Sequence, residues 1–179
     1  ILDKIKIEMN YDGKLYCSDK GINKNDSINR QLLYTLSITS KQIYEDIIKI
    51  GGCERKSLII KFPFIPEQFL SSFVRGFLEG DGHLRIEKHP NFLFLRTQFT
   101  GGLDFLQSLN LLMKIKFGTK SNVQNPIKNC RTYQLKYSGK KALNMLDWIY
   151  QDVLNGNSNL FLNRKFKIYN EYKDLKMIG

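Results

Sequence analysis

The chain has 179 residues, a net charge of +11 and 42% hydrophobic content, which suits one or two small domains with a true core. No apolar run reaches the roughly 18 residues of a membrane span and no signal-peptide pattern opens at Ile1, so a soluble intracellular protein with no membrane partner is expected. Cys17, Cys53 and Cys130 stand in no ligand spacing, which argues against zinc, and His83 and His89 alone make a histidine triad implausible.

Residues 4–50 read as helix, glycine turn, strand, loop, strand and helix, in that order. A stronger signal follows. Pro66 and Glu67 start a helix, with proline at its first position and an acid in its first turn. Phe69, Leu70, Phe73, Val74 and Phe77 then recur at helical spacing, and Gly76 and Gly80 share one face. Glycine in a helix interior costs about 1 kcal/mol against alanine, so two on one face imply another backbone packed closely there. The run ends in Glu79-Gly80-Asp81-Gly82, acids at the negative end of the dipole, where a compensating cation is expected and a divalent metal is the natural one. Gly82 is expected to stop the helix with a positive φ.

After Gly82 the period becomes two. Leu84-Arg85-Ile86-Glu87 alternates, and beyond a turn at Pro90-Asn91 so does the stretch from Phe92 to Phe99. A hairpin follows, with one apolar face and one face carrying Arg85, Glu87, Arg96 and Gln98. A helix over 103–116 turns Leu103, Leu106, Leu109, Leu112 and Met113 inward. Two short strands, 120–123 and 132–137, come next, the second alternating Gln134 and Lys136 with Tyr133, Leu135 and Tyr137. A helix over 140–153 closes the series, with Trp148 as a packing residue.

The chain also repeats itself. Tyr34-Thr35-Leu36-Ser37-Ile38 corresponds to Tyr133-Gln134-Leu135-Lys136-Tyr137, an offset of 99 residues, too long for a solenoid unit. The first copy shows no counterpart of the glycine-faced, acid-tipped helix within residues 1–65. Charge is uneven as well. Residues 1–60 carry ten basic and eight acidic side chains, whereas residues 61–179 carry eighteen and nine. Cations among Gln, Asn, Thr and Tyr on a solvated sheet suit phosphate, with polar groups left for bases.

The stretch Val74-Arg75-Gly76-Phe77-Leu78-Glu79-Gly80-Asp81-Gly82 resembles the nonapeptide of the LAGLIDADG homing endonucleases, and the α-β-β-α-β-β-α order that follows is the order of one such domain. The resemblance implies an α+β fold with one complete domain, residues 61–179, and a partial first copy, residues 1–60, that lacks its opening helix and hairpin. It implies a site-specific, metal-dependent DNA endonuclease associated with intron or intein mobility. Two motif helices would pack through Gly76 and Gly80 and their counterparts, the second coming from upstream sequence or another chain. Asp81 would be the catalytic acid, holding Mg²⁺ together with the Gly80 carbonyl, and Glu79 would cap or position. The family commonly places a lysine or glutamine beyond the second strand to polarise water. Here Phe99-Thr100-Gly101-Gly102-Leu103 has no basic residue, so Gln98, Lys61 or Lys140 would substitute. Double-stranded DNA would lie on Arg85, Glu87, Arg96, Gln98, Lys120, Asn122, Gln134, Lys136 and Lys140, with Lys14 and Tyr16 as first-copy counterparts. The alternative is a DNA-binding regulator or an intron maturase that binds intron RNA without cleavage.

Overall fold

The computed structural model describes residues 1–19, 32–52, 59–126 and 130–178. Cys53 lies outside the described residues. The chain divides into two compact units, residues 1–42 and 43–179. The architecture is α+β with antiparallel sheets.

The first unit holds α1 (Leu2–Glu8), β1 (Leu15–Asp19) and β2 (Leu32–Leu36), the helix, strand and strand expected there. β1 and β2 pair antiparallel, from Leu15 opposite Leu36 to Asp19 opposite Leu32. Tyr11 donates its hydroxyl to the Ser37 carbonyl at 2.9 Å and so ties the entry of one strand to the exit of the other. Tyr16, Leu32, Leu33 and Tyr34 stay exposed, which fits a two-stranded sheet with no third strand among the described residues.

The second unit is a three-stranded sheet with helices on one side. After α2 (Lys41–Lys49) come α3 (Glu67–Asp81), β3 (His83–His89), β4 (Phe92–Gly101), α4 (Leu103–Phe117), β5 (Tyr133–Ser138), α5 (Gly139–Ile149), α6 (Gln151–Leu154) and α7 (Asn163–Ile178). The sheet order is β3-β4-β5, all antiparallel. Leu84, Leu95, Phe99, Leu135 and Tyr137 point from the sheet into the helices, where they meet Val74 and Leu78 of α3, Leu106, Leu109 and Met113 of α4, and Leu146 and Ile149 of α5. A slip of one residue would turn every one of these side chains to water, which is why the alternation sets the register. Gly118 ends α4 at φ +58, with its N–H on the Lys114 carbonyl at 2.9 Å, the left-handed cap that glycine adopts without strain. Trp148 packs edge-on against Phe117 at 5.8 Å, as expected.

Four expectations need correction. No strand forms over 120–123; among the described residues that segment contributes one bridge, Gln124 to Gln134. Side-chain hydrogen bonds hold the segment instead, the Asn110 amide donating to the Ser121 carbonyl and the Ser121 hydroxyl to the Lys136 carbonyl. The helix expected over 140–153 breaks at Tyr150 (φ −105, ψ 4), where the Tyr150 side chain turns fully into the core. Gly82 is extended, at φ −89 and ψ 167. It is needed for room rather than handedness: a Cβ there would stand 2.5 Å from the Leu78 carbonyl oxygen. Finally, α7 is an additional core helix, burying Lys165, Tyr169 and Tyr172.

Candidate functional site

The C-terminal end of α3 collects the unusual chemistry. Lys165 of α7 is 1% exposed, and its ammonium donates to the carbonyls of Leu78 at 2.6 Å, Glu79 at 2.9 Å and Gly82 at 2.5 Å. They lie at a helix end, where carbonyls run out of backbone N–H partners, although the Leu78 carbonyl also accepts the Gly82 N–H at 2.9 Å. The compensating cation expected at this negative terminus is therefore already built into the chain as a lysine. Burial lowers the Lys165 pKa, helped by Arg164, while the Glu79 and Asp81 carboxylates oppose the shift.

The two motif acids part company here. Glu79 is 6% exposed and accepts the Tyr150 hydroxyl at 3.0 Å. Burial raises its pKa, against hydrogen bonds from the Leu162 N–H and Tyr150 and the charges of Arg75 and Lys165. Asp81 is exposed. The Gly80 carbonyl is not among those that Lys165 holds, so it and the Asp81 carboxylate are oxygen donors at this helix end outside the lysine's grip.

Arg75, second in the nonapeptide, is 3% exposed. It reaches the Ile149 carbonyl at 2.8 Å and the Asp152 carboxylate through both terminal nitrogens, and Ser72 donates to the same carboxylate at 3.0 Å. This pair clamps α3 to the α5–α6 corner and fixes which face of α3 remains outside.

That outer face is open. Beside it runs a groove of about 680 Å³ lined by Phe73, Gly76, Phe77, Gly80, Asp81 and Thr100 among others. Apart from the adjoining backbone of α3 itself, no described atom lies within 4 Å of where a Cβ would stand at Gly76 or Gly80, so the close backbone expected there is not supplied by this chain's described residues. Gly76→Ala should therefore stabilise the isolated chain by about 0.5–1 kcal/mol, the usual gain over glycine in a helix. Thermal melts check this, and a loss of stability would show that the face is already packed.

The sheet face turned away from the helices matches the alternation. Arg85 sits opposite Arg96, and Gln98 lies between His83 on one side and Lys136 on the other. Like charges directly opposite repel. Glu87 resolves this by pairing with both arginines, its second oxygen 3.0 Å from Arg96 Nη2. Gln134 stands opposite Thr100 on the same face.

The other expected contacts disperse. Lys120 is exposed in the loop after α4, and Asn122 lines a separate recess with Leu103, Gln107 and Tyr133 on the helix side. Lys140 is exposed in the first turn of α5, and Lys61 precedes α3. Lys14 and Tyr16 belong to the first unit, where Tyr16 is exposed on β1 opposite Thr35. Gln98 is absent from the groove lining beside Asp81, where Thr100, Gly101 and Thr132 stand instead. Among the described residues no cluster of three or more His, Cys, Asp or Glu side chains could hold a metal, and no helix is long and apolar enough to cross a membrane. Cys17 and Cys130 are exposed free thiols. The sequence reading missed Lys165 and Tyr150. The available signal for Lys165 was a lone cation in register with the stripe Leu162, Phe166, Tyr169 and Tyr172.

No family model and no curated protein matches the chain. Solved structures do. The LAGLIDADG meganuclease I-AabMI bound to uncleaved DNA superposes with a TM-score of 0.45 at 18% identity, over 61% of this chain and 38% of that one. The group I intron-encoded homing endonuclease I-CeuI complexed with DNA gives 0.46 at 18%, over 63% and 55%. The LAGLIDADG homing endonuclease I-GzeII in complex with its DNA target gives 0.45 at 17%, over 78% and 45%. The chain thus spans from about two-fifths to just over half the length of these three structures. At these identities and TM-scores the likeness is at most one of fold.

Proposed function

We propose that this chain is a DNA endonuclease of the LAGLIDADG type, with Asp81 as its catalytic acid and the sheet face of β3, β4 and β5 as its DNA surface. The observation that carries this is the exposed Asp81 carboxylate at the end of a glycine-faced helix whose Arg75 and Glu79 side chains are held by the chain itself. Residues 1–60 are a partial first copy. A second helix of the same kind, from upstream sequence or another chain, would pack on Gly76 and Gly80 and bring a second acid beside Asp81.

The donor set fits Mg²⁺ in kind. Asp81 and the Gly80 carbonyl offer oxygen only, which suits a hard cation, and two such donors leave the remaining positions to water, phosphate and the second acid. When bound, the metal would activate water and stabilise the leaving oxygen. The chain's own contribution is placement. Lys165 and Arg75 hold α3 rigid, while the basic sheet face presents duplex DNA to its end, in a host intron or intein setting. Lysine or arginine is absent from the groove lining among the described residues. That favours, as a second reading, a regulator that binds DNA or a maturase that binds intron RNA without cutting.

Plasmid cleavage in Mg²⁺ and gel-shift binding, run side by side, separate the two. Residues 1–179 should bind duplex DNA and at most nick it. With the second helix restored, Asp81→Asn should lower double-strand cleavage by on the order of a hundredfold or more, with affinity little changed. Cleavage that survives Asp81→Asn would remove Asp81 from the site. Binding without cleavage after the helix is restored would favour the non-cutting reading.

A further inference from the structure

The sheet face changes character toward the tip of the β3–β4 hairpin. Phe92 and Phe94 share the parity of Arg96 and Gln98, so they stand on the proposed DNA surface rather than in the core. Phe92 is 54% exposed. His89 stacks on it at 4.5 Å between ring centroids, and Phe94 lies 5.9 Å away on the other side. The Arg96 guanidinium then sits over Phe94 at 5.3 Å while its Nη2 is held by Glu87. Large aromatics on a solvated strand face cost solvation unless something covers them. Here they are fixed in orientation by a stack and continue directly into a row of cations that complements phosphate.

We propose that Phe92 and Phe94 are specificity-determining residues that read thymine through its 5-methyl group in the major groove of duplex DNA. This rests on the reading of the sheet face as a DNA surface. The thymine methyl is the one apolar group that base edges present in that groove, and phenylalanine is among the side chains that recognise it. Arg96 and the aromatic pair lie two to four residues apart on one strand, about 7–13 Å at the usual strand rise. Base pairs stack about 3.4 Å apart. The favoured thymine therefore falls two to four base pairs from the position that Arg96 contacts.

The test uses the 179-residue chain without divalent metal, so that DNA is not cut. A random-sequence duplex library is bound and the retained sequences are read for the parent chain and for Arg96→Ala. Thymines in one retained duplex are then replaced singly by deoxyuracil, which removes only the methyl and needs no protein variant. One such replacement, two to four base pairs from the position released by Arg96→Ala, should weaken binding about fourfold, the value of one buried methyl. Phe92→Ala/Phe94→Ala should bind the two duplexes equally. Unchanged affinity at every replaced thymine would overturn the methyl reading and leave the DNA surface standing. Failure of the parent chain to bind any duplex at low salt would overturn both. Tighter binding of single-stranded oligothymidine than of duplex would overturn methyl reading in favour of base stacking.

Discussion

Asp152→Ala should destabilise the second unit by on the order of 3–5 kcal/mol, the range for removing one partner of a buried ion pair. The guanidinium left behind is 4% exposed and would keep neutral hydrogen-bond acceptors, the Ile149 carbonyl and the Ser72 and Ser158 hydroxyls. Arg75→Met should cost less, because the Asp152 carboxylate is 24% exposed and can recover water. Urea melts of the two variants check the order, and a larger loss for Arg75→Met would mean that the pair is not the clamp it appears in the geometry. The effect also depends on pH. Burial alone would raise the Asp152 carboxyl above its ordinary 3.8, but Arg75, Ser72 and the Val153 N–H outweigh it and the net shift is downward. A depressed carboxylate stabilises the fold fully above its unfolded value and loses that contribution as pH falls through the folded one. The gap between parent and Asp152→Ala should therefore narrow on acidification below 3.8 and stay constant between about pH 6 and pH 8.

Lys165→Met should have an effect of similar size by a different route. Methionine matches the length of the lysine stem but donates nothing, so the Glu79 and Gly82 carbonyls lose this donor and the Leu78 carbonyl keeps only the Gly82 N–H. Each unsatisfied buried acceptor costs about 1–3 kcal/mol. The Glu79 carboxylate also loses a nearby cation, so its already raised pKa should rise further. Amide hydrogen exchange localises the damage: the Gly82 N–H, which donates to the Leu78 carbonyl at 2.9 Å, should lose protection ahead of the sheet. Arg164→Met, on an exposed neighbour, should change little. Uniform loss of protection across the unit, or none, would contradict a local cap at this helix end.

The parts of this molecule legible in its sequence are those whose pattern is local. Phe73, Val74 and Phe77 declare α3 by spacing alone, and the alternation from Leu84 to Phe99 declares both the hairpin and which face carries Arg85 and Arg96. The partners of α3 are not local. Glu79 is buried by Tyr150, 71 residues away, and its carbonyl is capped by Lys165, 86 residues away, so no window of sequence shows an acid and a lysine removed from solvent together. Helix α7 hides for a related reason. Its buried stripe contains a lysine, and Lys167, Lys173 and Lys176 surround the tyrosines, which blurs the contrast between faces. The segment 120–123 failed in the other direction. Four residues of weak alternation read as a strand, but the side chains of Asn110 and Ser121 bind the backbone instead. The positive φ expected at Gly82 is absent, and the close approach of Leu78 that excludes a side chain there leaves no trace in sequence.

The lysine cap has a consequence for how the chain is made. A ribosome adds roughly 5–20 residues per second, so the 86 positions between Glu79 and Lys165 take about 4–17 s to synthesise. During that interval α3, the hairpin and α4 can already be outside the tunnel, with the Glu79 and Gly82 carbonyls not yet capped by the lysine. The nascent chain therefore carries a frayed helix end until α7 emerges, and a pause in translation upstream of residue 165 would lengthen its exposure to proteases and to other chains.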